Sequence, residues 1–314
     1  MSTWPFVAIA AALLTILVVR RLRDPIPKVF LPLATATMFV ATWHVTCELL
    51  TYSIRMPDGT VRLIHTFPTP WDTFLEMRTP IADGTLLRYT VATIYRVAVG
   101  FGIAALIGIP LGLWAGWYLR GAQAINPLIQ ALRPISPIAW IPLAVLWFGV
   151  KDASAIFLIT LASFFPIVTG SMTAVRTIPT VYVRSAQNFG LEGFELFRRV
   201  VFPASLPAII TSLRFALGIA WMVIVAAEMI AVDSGLGYMI MDSRNANNYE
   251  RVVGSMVVIG LLGICLDWTV RRLEHFDIVR WGYPGATRET EAERTRAEIE
   301  RYRAKVSGAV MGGG

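Results

Sequence analysis

The chain has 314 residues, of which 55% are hydrophobic and only 16% are charged, with a mean hydropathy of +0.60. Soluble domains carry about 25% charged residues, so this composition argues against a soluble domain and predicts an integral membrane protein. The net charge of +7 does not indicate a nucleic-acid partner, because the Arg residues are dispersed between apolar runs and build no single basic face.

The first apolar run, residues 4–19, is followed directly by Arg20, Arg21 and Arg23. A secretory signal peptide carries its positive charge before the apolar core, so we predict a retained membrane segment here. The run is shorter than the roughly 20 residues that a span needs, which leaves an interfacial helix as the alternative.

Further apolar runs of about 20 residues predict six more spans, at 29–51, 86–118, 127–149, 153–175, 206–232 and 251–270. We therefore predict an all-α, polytopic membrane helix bundle of about six to seven transmembrane helices. Arg and Lys concentrate in alternate loops, which the positive-inside rule assigns to the cytoplasm. This places the N-terminus outside, the C-terminus in the cytoplasm, and the loops at 52–85 and 233–250 in the periplasm.

Small residues recur at every fourth position of the predicted span 86–118, at Gly100, Ala104, Gly108, Gly112 and Gly116. Such a strip lets two helix backbones approach closely. Its partner is either another helix of this chain or a second subunit, so packing within the subunit and a dimer seam both remain open.

Three prolines interrupt the apolar run 132–142, LRPISPIAWIP. Each removes a backbone donor and disfavours helix at the preceding residue, so we predict a bend. Bent helices in a membrane need protein or a water-filled cavity around them. A bend beside the solute path would make Arg133 and Ser136 candidate pathway residues, with a plain packing kink as the alternative.

Four ionisable side chains fall inside apolar runs, namely Arg96, Arg133, Arg214 and Glu228. Such groups are costly within a membrane unless they are paired or hydrated. Arg133 and Arg214 lie near the predicted cytoplasmic ends of their spans, so snorkelling explains them as well as a place on the pathway does. Glu228 lies about one turn from the outer end of its span, where it either lines the pathway or pairs with an Arg of a neighbouring helix.

Residues 176–205, between the fifth and sixth predicted spans, predict two helices joined by a turn. Pro179 suits the first position of a helix, and Gly190 suits a left-handed turn that ends it. A second helix over 191–201 would have Glu192 near its positive end. Its apolar face needs a groove, supplied by lipid headgroups or by a partner protein. That face carries Phe194, Phe197 and Val201.

This segment resembles the signature loop of binding-protein-dependent ABC importer permeases, which reads EAA, three residues, Gly, nine residues, Ile, one residue, Leu and Pro. The matching positions hold Arg184, Ser185, Ala186, Gly190, Val200, Phe202 and Pro203. Arg184 and Ser185 depart from the signature, which removes the acid but keeps the Gly-to-Pro spacing. The resemblance extends over about 85–275 and is closest to the nitrate, sulfonate and taurine subfamily. It rests on RPISPIAWIPLAVLWFG, FFPIVTGS, VVFPASLPAIITSLRFALGIAWMVIVAAEMI and SGLGYMI.

The resemblance implies a type I permease fold in a bacterial inner membrane and a coupling loop that docks an ATPase. It implies these partners: a second permease copy in a homodimer, two cytoplasmic ABC ATPase subunits, a periplasmic or lipid-anchored substrate-binding protein, and the lipid bilayer. We expect no cofactor or metal in this chain, with ATP and Mg bound by the ATPase subunits. Its only lysines, Lys28, Lys151 and Lys305, lie outside any GxxxxGK[ST] loop, so another chain would supply the energy.

The expected organisation has four parts. Residues 1–28 form an extra membrane segment and cytoplasmic loop, and 29–84 form a span with a periplasmic loop. Residues 85–275 form the permease core, and 276–314 form a charged cytoplasmic tail. The extra N-terminal segment departs from the six-span pattern of the subfamily.

Two other classes of protein compete with this interpretation. An ion-driven secondary transporter usually shows inverted repeats and broken helices in both halves, whereas this sequence shows no convincing repeat and one heavily proline-interrupted span. A membrane-bound enzyme fits poorly, because His44, His65 and His275 are scattered and form no HExxH motif. For the solute, the subfamily resemblance suggests a small anion: nitrate, bicarbonate, or a sulfonate such as taurine.

Overall fold

The structure, a computed structural model, describes residues 30–49, 51–55, 61–65 and 67–273. The predicted membrane segment at 4–19 and the charged tail from 276 onwards lie outside these residues. The chain divides into two compact units. The first holds the described residues up to Thr93 together with Ser234–Gly260, and the second holds Ile94–Asp233 together with the described residues from Leu261 onwards.

The described chain is helical except for one small hairpin. In chain order its elements are α1 (Phe30–Leu49), β1 (Thr51–Arg55), β2 (Val61–His65), α2 (Pro70–Glu76), α3 (Arg78–Ala82), α4 (Thr85–Trp117), α5 (Leu119–Leu132), a 3-10 turn (Pro137–Trp140), α6 (Ile141–Phe148), α7 (Asp152–Arg176), α8 (Thr180–Asn188), α9 (Gly193–Leu196), a π-helical turn (Phe197–Val201), α10 (Phe202–Ile230), α11 (Leu236–Asn245) and α12 (Tyr249–Leu273). Strands β1 and β2 pair antiparallel, with Thr51 opposite His65, inside a segment predicted as a loop.

Four helices of the described residues are long and apolar enough to cross a membrane, namely Thr85–Trp117, Asp152–Arg176, Gly193–Ile230 and Tyr249–Val270. They coincide with four predicted spans, and α1 covers a fifth, at 29–51. The prediction of an all-α, polytopic membrane fold is therefore confirmed.

The predicted span 127–149 is a bent pair of helical segments. Two helical segments, Leu119–Leu132 and Pro137–Phe148, meet there at 81°. The bend itself was predicted, and its physical reason is the group of prolines at 134, 137 and 142, which cannot donate backbone hydrogen bonds. The α-helix resumes at Ile141. Pro142 lies in the first turn of α6, where a backbone N–H would have no partner within the helix, so its absence removes no hydrogen bond.

The strip of small residues on α4 packs against α7 of the same chain. A Cβ added to Gly112 would lie 2.6 Å from the Cβ of Ser171, and one added to Gly100 would lie 2.8 Å from the Cβ of Ile159. Such distances leave no room for a side chain. Of the two partners left open by the sequence, the structure therefore selects the helix within the subunit.

The same contacts fix the relative direction of the two helices. Moving along α4 from Gly100 to Gly116, the neighbours on α7 move from Ile159 to Val175. The helices α4 and α7 are therefore parallel. The chain leaves α4 at its C-terminal end and enters α7 at the end that lies beside the N-terminal half of α4. The bent pair α5–α6 must therefore run back along the length of α4, as one broken span would.

Helix α10 packs against α7 through small and branched side chains. Their buried residues share one cluster, with Ala155, Leu158, Ile159 and Ala162 from α7 and Ala220, Ile224 and Ala227 from α10. At Gly170 the side chain of Ser212 fills the space that a Cβ would need. These contacts bring the first turn of α7 beside the last turn of α10.

In the first unit, polar contacts join α2 to the start of α12. Glu76 accepts hydrogen bonds from the Asn248 side-chain amide (2.8 Å) and from Arg251 (2.6 Å). Ahead of α4, the carboxylate of Asp83 accepts the backbone N–H of Thr85 at 2.9 Å, and this bond lowers the pKa of that carboxyl.

Candidate functional site

The first helix of the predicted coupling segment, residues 176–205, begins within one residue of its predicted start. Pro179 is the N-cap of α8, in an extended conformation, and the helix itself begins at Thr180. Gly190 has φ of +82°, a conformation that L side chains rarely adopt. The left-handed turn predicted at Gly190 is therefore confirmed.

The second half of the segment differs from the prediction. The helix begins at Gly193 rather than 191, with Glu192 extended at its N-cap. It then continues through the π-helical turn Phe197–Val201 into α10, giving one helical stretch over Gly193–Ile230. The second helix predicted over 191–201 and the span predicted over 206–232 are therefore one helix, because the wider π turn leaves room for the Pro203 ring at the start of α10.

The apolar face of this second helix is only partly exposed. Phe194 is 76% exposed, whereas Val201 is buried at 1%. The ring of Phe197 contacts Trp117 of α4, edge to face, at a centroid distance of 5.5 Å. The expectation that the whole face needs an outside groove is therefore wrong for Phe197 and Val201, which this chain itself covers.

A second exposed aromatic side chain lies on the other side of the Gly190 turn. Phe189 is 87% exposed, more than any other large hydrophobic side chain among the described residues. Its position beside a proposed docking turn was not recognised from the sequence. The pattern "Phe-Gly" at the end of α8 was the available signal.

The remaining signature residues differ in exposure. Arg184, Ser185 and Glu192 are exposed, Ala186 is buried, and Val200 and Pro203 are partly buried. On the same surface Arg199 pairs with Glu195 at 2.9 Å, one helical turn apart. Beside it, an apolar groove of about 500 Å³ runs between the end of α4 and this helix, lined by aromatic residues that include Trp114, Tyr118 and Phe202.

A second site lies where α4, α7 and the end of α10 meet. Arg96 donates from Nη1 to Glu228 Oε1 at 2.7 Å. It also donates from Nε and Nη2 to Asp152 Oδ1, at 2.8 and 2.6 Å. We call these three residues the Arg96 cluster. For Glu228, the structure thus shows the pairing alternative predicted from the sequence.

The cluster is buried and electrostatically uneven. Arg96 is 1% exposed and Glu228 is fully buried, whereas Asp152 is 56% exposed. Glu228 lies near the negative end of the α10 dipole, which disfavours a carboxylate, whereas Asp152 lies in the first turn of α7, which favours one. Arg96 therefore compensates Glu228 above all.

Arg214 makes a second ion pair between spans. Its Nε and Nη2 donate to the two carboxylate oxygens of Asp267 on α12, at 2.6 and 3.1 Å. Asp267 and Asp152 were missed as candidate residues. Asp267 stands inside the predicted span 251–270, so the criterion that identified Arg214 would have identified it. Asp152 lies one residue before the predicted span 153–175, so that criterion does not reach it.

The predicted pathway residues do not form one site. Arg133 and Ser136 are both exposed at the bend between α5 and the 3-10 turn. Arg214 and Glu228 lie on α10, 14 positions apart, which is about 21 Å along a helix. Each is held by a carboxylate or guanidinium of another span.

A scan against family models matches residues 108–276 to the family described as "Binding-protein-dependent transport system inner membrane component". This range contains the coupling segment and two of the three residues of the Arg96 cluster.

Several curated proteins are similar over most of their length. A putative ABC transporter permease of Methanocaldococcus jannaschii is 40% identical over 62% of this chain and 73% of its own. A nitrate import permease of Synechocystis sp. is 31% identical over 81% and 93%. A bicarbonate transport permease of Synechococcus elongatus is 32% identical over 82% and 92%.

Among solved structures, a chain of the MetNI methionine ABC transporter in an inward-facing conformation matches 60% of this chain and 94% of its own. The TM-score is 0.54 and the sequence identity is 17%. At that identity the match shows a shared fold and nothing about the solute.

Proposed function

The chain belongs to the family of binding-protein-dependent transport system inner membrane components, and from that membership we propose that it carries a small anion through a dimeric pathway driven by separate ATPase subunits. Within the family it falls in the nitrate, sulfonate and taurine subfamily. It is a multi-pass membrane component of an importer rather than an enzyme. ATPase subunits and a substrate-binding protein are general partners of such permeases.

The proposed coupling to ATP rests on one observation, the exposure of Phe189 and Phe194 on either side of the Gly190 turn. Exposed aromatic anchors are typical of the residues that dominate protein interfaces. The polar residues Arg184, Ser185 and Glu192 would form the rim around them. ATP-driven closure of the ATPase subunits would then push on α8 and on the helix that begins at Gly193.

The continuous helix Gly193–Ile230 gives that push a direct route across the membrane. Its 38 residues correspond to about 57 Å at 1.5 Å per residue. One end carries Phe194, and the other carries Glu228 of the Arg96 cluster. In this proposal the coupling segment is cytoplasmic and the Arg96 cluster faces the extracytoplasmic side, with the N-terminus outside and the C-terminal tail inside.

The proposed solute class is nitrate, bicarbonate or a sulfonate such as taurine. Support comes from the names of relatives, which include nitrate, bicarbonate, sulfonate and taurine permeases. The proposed assembly is two copies of this chain, two ATPase subunits that hold ATP and Mg, and an extracytoplasmic binding protein.

The test is retention of the ATPase subunit by the tagged permease in detergent, together with ATP-dependent uptake in proteoliposomes. Gly190→Val forces a β-branched residue into a left-handed turn, and Phe194→Ala or Phe189→Ala removes an anchor. Each should abolish or sharply reduce retention. If an anchor contributes about 2 kcal/mol, its removal raises the Kd for the ATPase subunit by roughly 25-fold.

Phe215→Ala is the matched control, because Phe215 is 64% exposed on α10 outside the coupling segment. It should retain the ATPase like the wild type. Undiminished retention and uptake in the Gly190, Phe189 and Phe194 variants would refute the docking assignment. Uptake that needs an ion gradient but no ATP would instead support a secondary transporter.

A further inference from the structure

Asp152 is the part of the Arg96 cluster that solvent can reach. Its side chain is 56% exposed, whereas Arg96 and Glu228 are essentially inaccessible. Both Nε and Nη2 of Arg96 point to Asp152, and Nη1 points to Glu228. One edge of a buried guanidinium is therefore held by a carboxylate that solvent reaches.

The two donors on that edge suit an oxoanion. Nε–H and Nη2–H of Arg form a fork that binds two oxygens of one group side by side. Asp152 uses the fork incompletely, because its Oδ1 accepts both hydrogen bonds. A nitrate, bicarbonate or sulfonate ion offers a separate oxygen to each donor.

The charges of the cluster decide how an anion can enter. With Arg96 positive and Asp152 and Glu228 negative, the ionised cluster carries a net charge of −1. An anion added to the intact cluster would raise this to −2 at a buried site, where like charges repel strongly. An anion that replaces the Asp152 carboxylate keeps the charge beside Arg96 unchanged.

Asp152 also has a favourable place to go when it is displaced. It lies in the first turn of α7, where the positive end of the helix dipole stabilises a carboxylate. Because its side chain is already 56% exposed, it can turn to water with little change in its own solvation.

We propose that Arg96 binds the transported oxoanion at the extracytoplasmic end of the subunit, and that Asp152 occupies this site as a displaceable stand-in until the solute arrives. Glu228 is a positioning residue, because it holds the other edge of the guanidinium. The inference rests on the proposed function, which supplies both the anionic solute and the side from which it comes.

The first experiment uses the purified complex of permease and ATPase subunits. Thermal unfolding is followed by tryptophan fluorescence during titration with sodium nitrate, bicarbonate or methanesulfonate, at an ionic strength held constant with sodium chloride. Asp152→Asn removes the competing charge at nearly unchanged size, so the half-saturating concentration of at least one oxoanion should fall about tenfold.

Two further variants give the test its specificity. Asp233→Asn removes another exposed carboxylate, which lies just beyond α10 and outside the cluster, and should bind like the wild type. Arg96→Lys in the Asp152→Asn background loses the fork and should lose the gain in affinity. An equal gain in Asp233→Asn would show a general surface-charge effect and overturn the proposal.

A second experiment on the wild-type complex applies if Asp152→Asn does not assemble. Carbodiimide and glycine ethyl ester label accessible carboxyl groups. Mass spectrometry then measures the labelled fraction of Asp152, with the labelled fraction of Asp233 as the internal reference. Saturating oxoanion should raise labelling of Asp152 at least twofold relative to Asp233, because the displaced carboxylate turns to solvent.

Unchanged labelling, or unchanged oxoanion affinity in an assembled Asp152→Asn complex, would overturn the exchange site and leave the cluster a structural clamp. The proposed function is read separately, from ATPase retention and ATP-dependent uptake by the wild type. If these are present, only the exchange site fails; if they are absent, the proposed function fails.

Discussion

Arg96 joins three spans through two carboxylates, and its side chain is buried between them. The paired charges gain little over an apolar replacement, but a single uncompensated charge at this depth is costly. We therefore expect the cluster to make the arrangement of α4, α7 and α10 specific rather than to add much net stability.

Removal of Glu228 alone should be far more damaging than removal of the pair. We expect Glu228→Ala to cost about 3–5 kcal/mol, because it leaves Arg96 buried opposite one half-exposed carboxylate. The double variant Arg96→Met with Glu228→Leu should recover most of that loss. Thermal unfolding of the purified subunit measures both, and a double variant no more stable than Glu228→Ala would contradict this account.

Phe194 and Phe197 should separate docking from internal packing, although they are three positions apart. Phe197→Ala removes a ring that packs on Trp117, so it should lower the stability of the subunit itself by about 2 kcal/mol, less than for a fully buried Phe. Phe194→Ala should leave subunit stability nearly unchanged and reduce ATPase retention. Thermal unfolding and pull-down of the same two preparations test this, and equal losses of stability would contradict it.

The sequence predicted which residues carry charge inside the membrane but not their partners. Glu228 could line a pathway or pair with an Arg, and only the packing of α4 beside α10 selects Arg96. Sequence separation hides this pair, because the two residues are 132 positions apart. Arg214 shows the same limit, since snorkelling explained it adequately until Asp267 was seen beside it.

At the scale of elements, the glycines of α4 bring this helix close to α7. A Cβ at Gly112 would meet Ser171 and the carbonyl oxygen of Val168 at 2.6 Å, whereas a Cβ at Gly102 of the same helix would meet nothing within 4 Å. Gly112→Val should therefore separate the helices and prevent stable assembly. Gly102→Val is the matched control for the cost of a β-branched residue in a helix. Gel filtration of the two variants in detergent checks this, and equal behaviour would refute the packing argument.

Local chemistry predicted where elements break better than where they continue. The bend near Pro134 and the left-handed turn at Gly190 follow from backbone restrictions that act within a few residues. The continuous helix from Gly193 to Ile230 was not predicted, because Pro203 and Pro207 indicate an interruption when read alone. A π-helical turn accommodates the first of them, and nothing in the local sequence marks such a turn.

At the scale of the whole subunit, the parallel direction of α4 and α7 requires the bent pair α5–α6 to cross the membrane once. If the pair were a re-entrant loop, residues 118 and 151 would lie on the same side of the membrane. The helices α4 and α7 would then cross the membrane in opposite directions, which contradicts their parallel packing. Gln123 and Lys151 should therefore be exposed on opposite faces. In the proposed orientation Gln123 lies with Gln187 of the coupling segment in the cytoplasm, and Lys151 lies outside.

Cysteine labelling tests this topology directly. In a background with Cys47→Ser and Cys265→Ala, single variants Gln123→Cys, Lys151→Cys and Gln187→Cys are treated with a membrane-impermeant maleimide. All three target side chains are exposed in the subunit, so in membranes that hold the permease without its ATPase subunits, access to the reagent depends on the side of the membrane. We expect Lys151→Cys to react in intact spheroplasts, and the other two to react only in inverted vesicles. Reaction of Gln123→Cys and Lys151→Cys from one side would establish a re-entrant loop, whereas reaction of Gln187→Cys in spheroplasts would reverse the proposed orientation and remove the coupling segment from reach of a cytoplasmic ATPase.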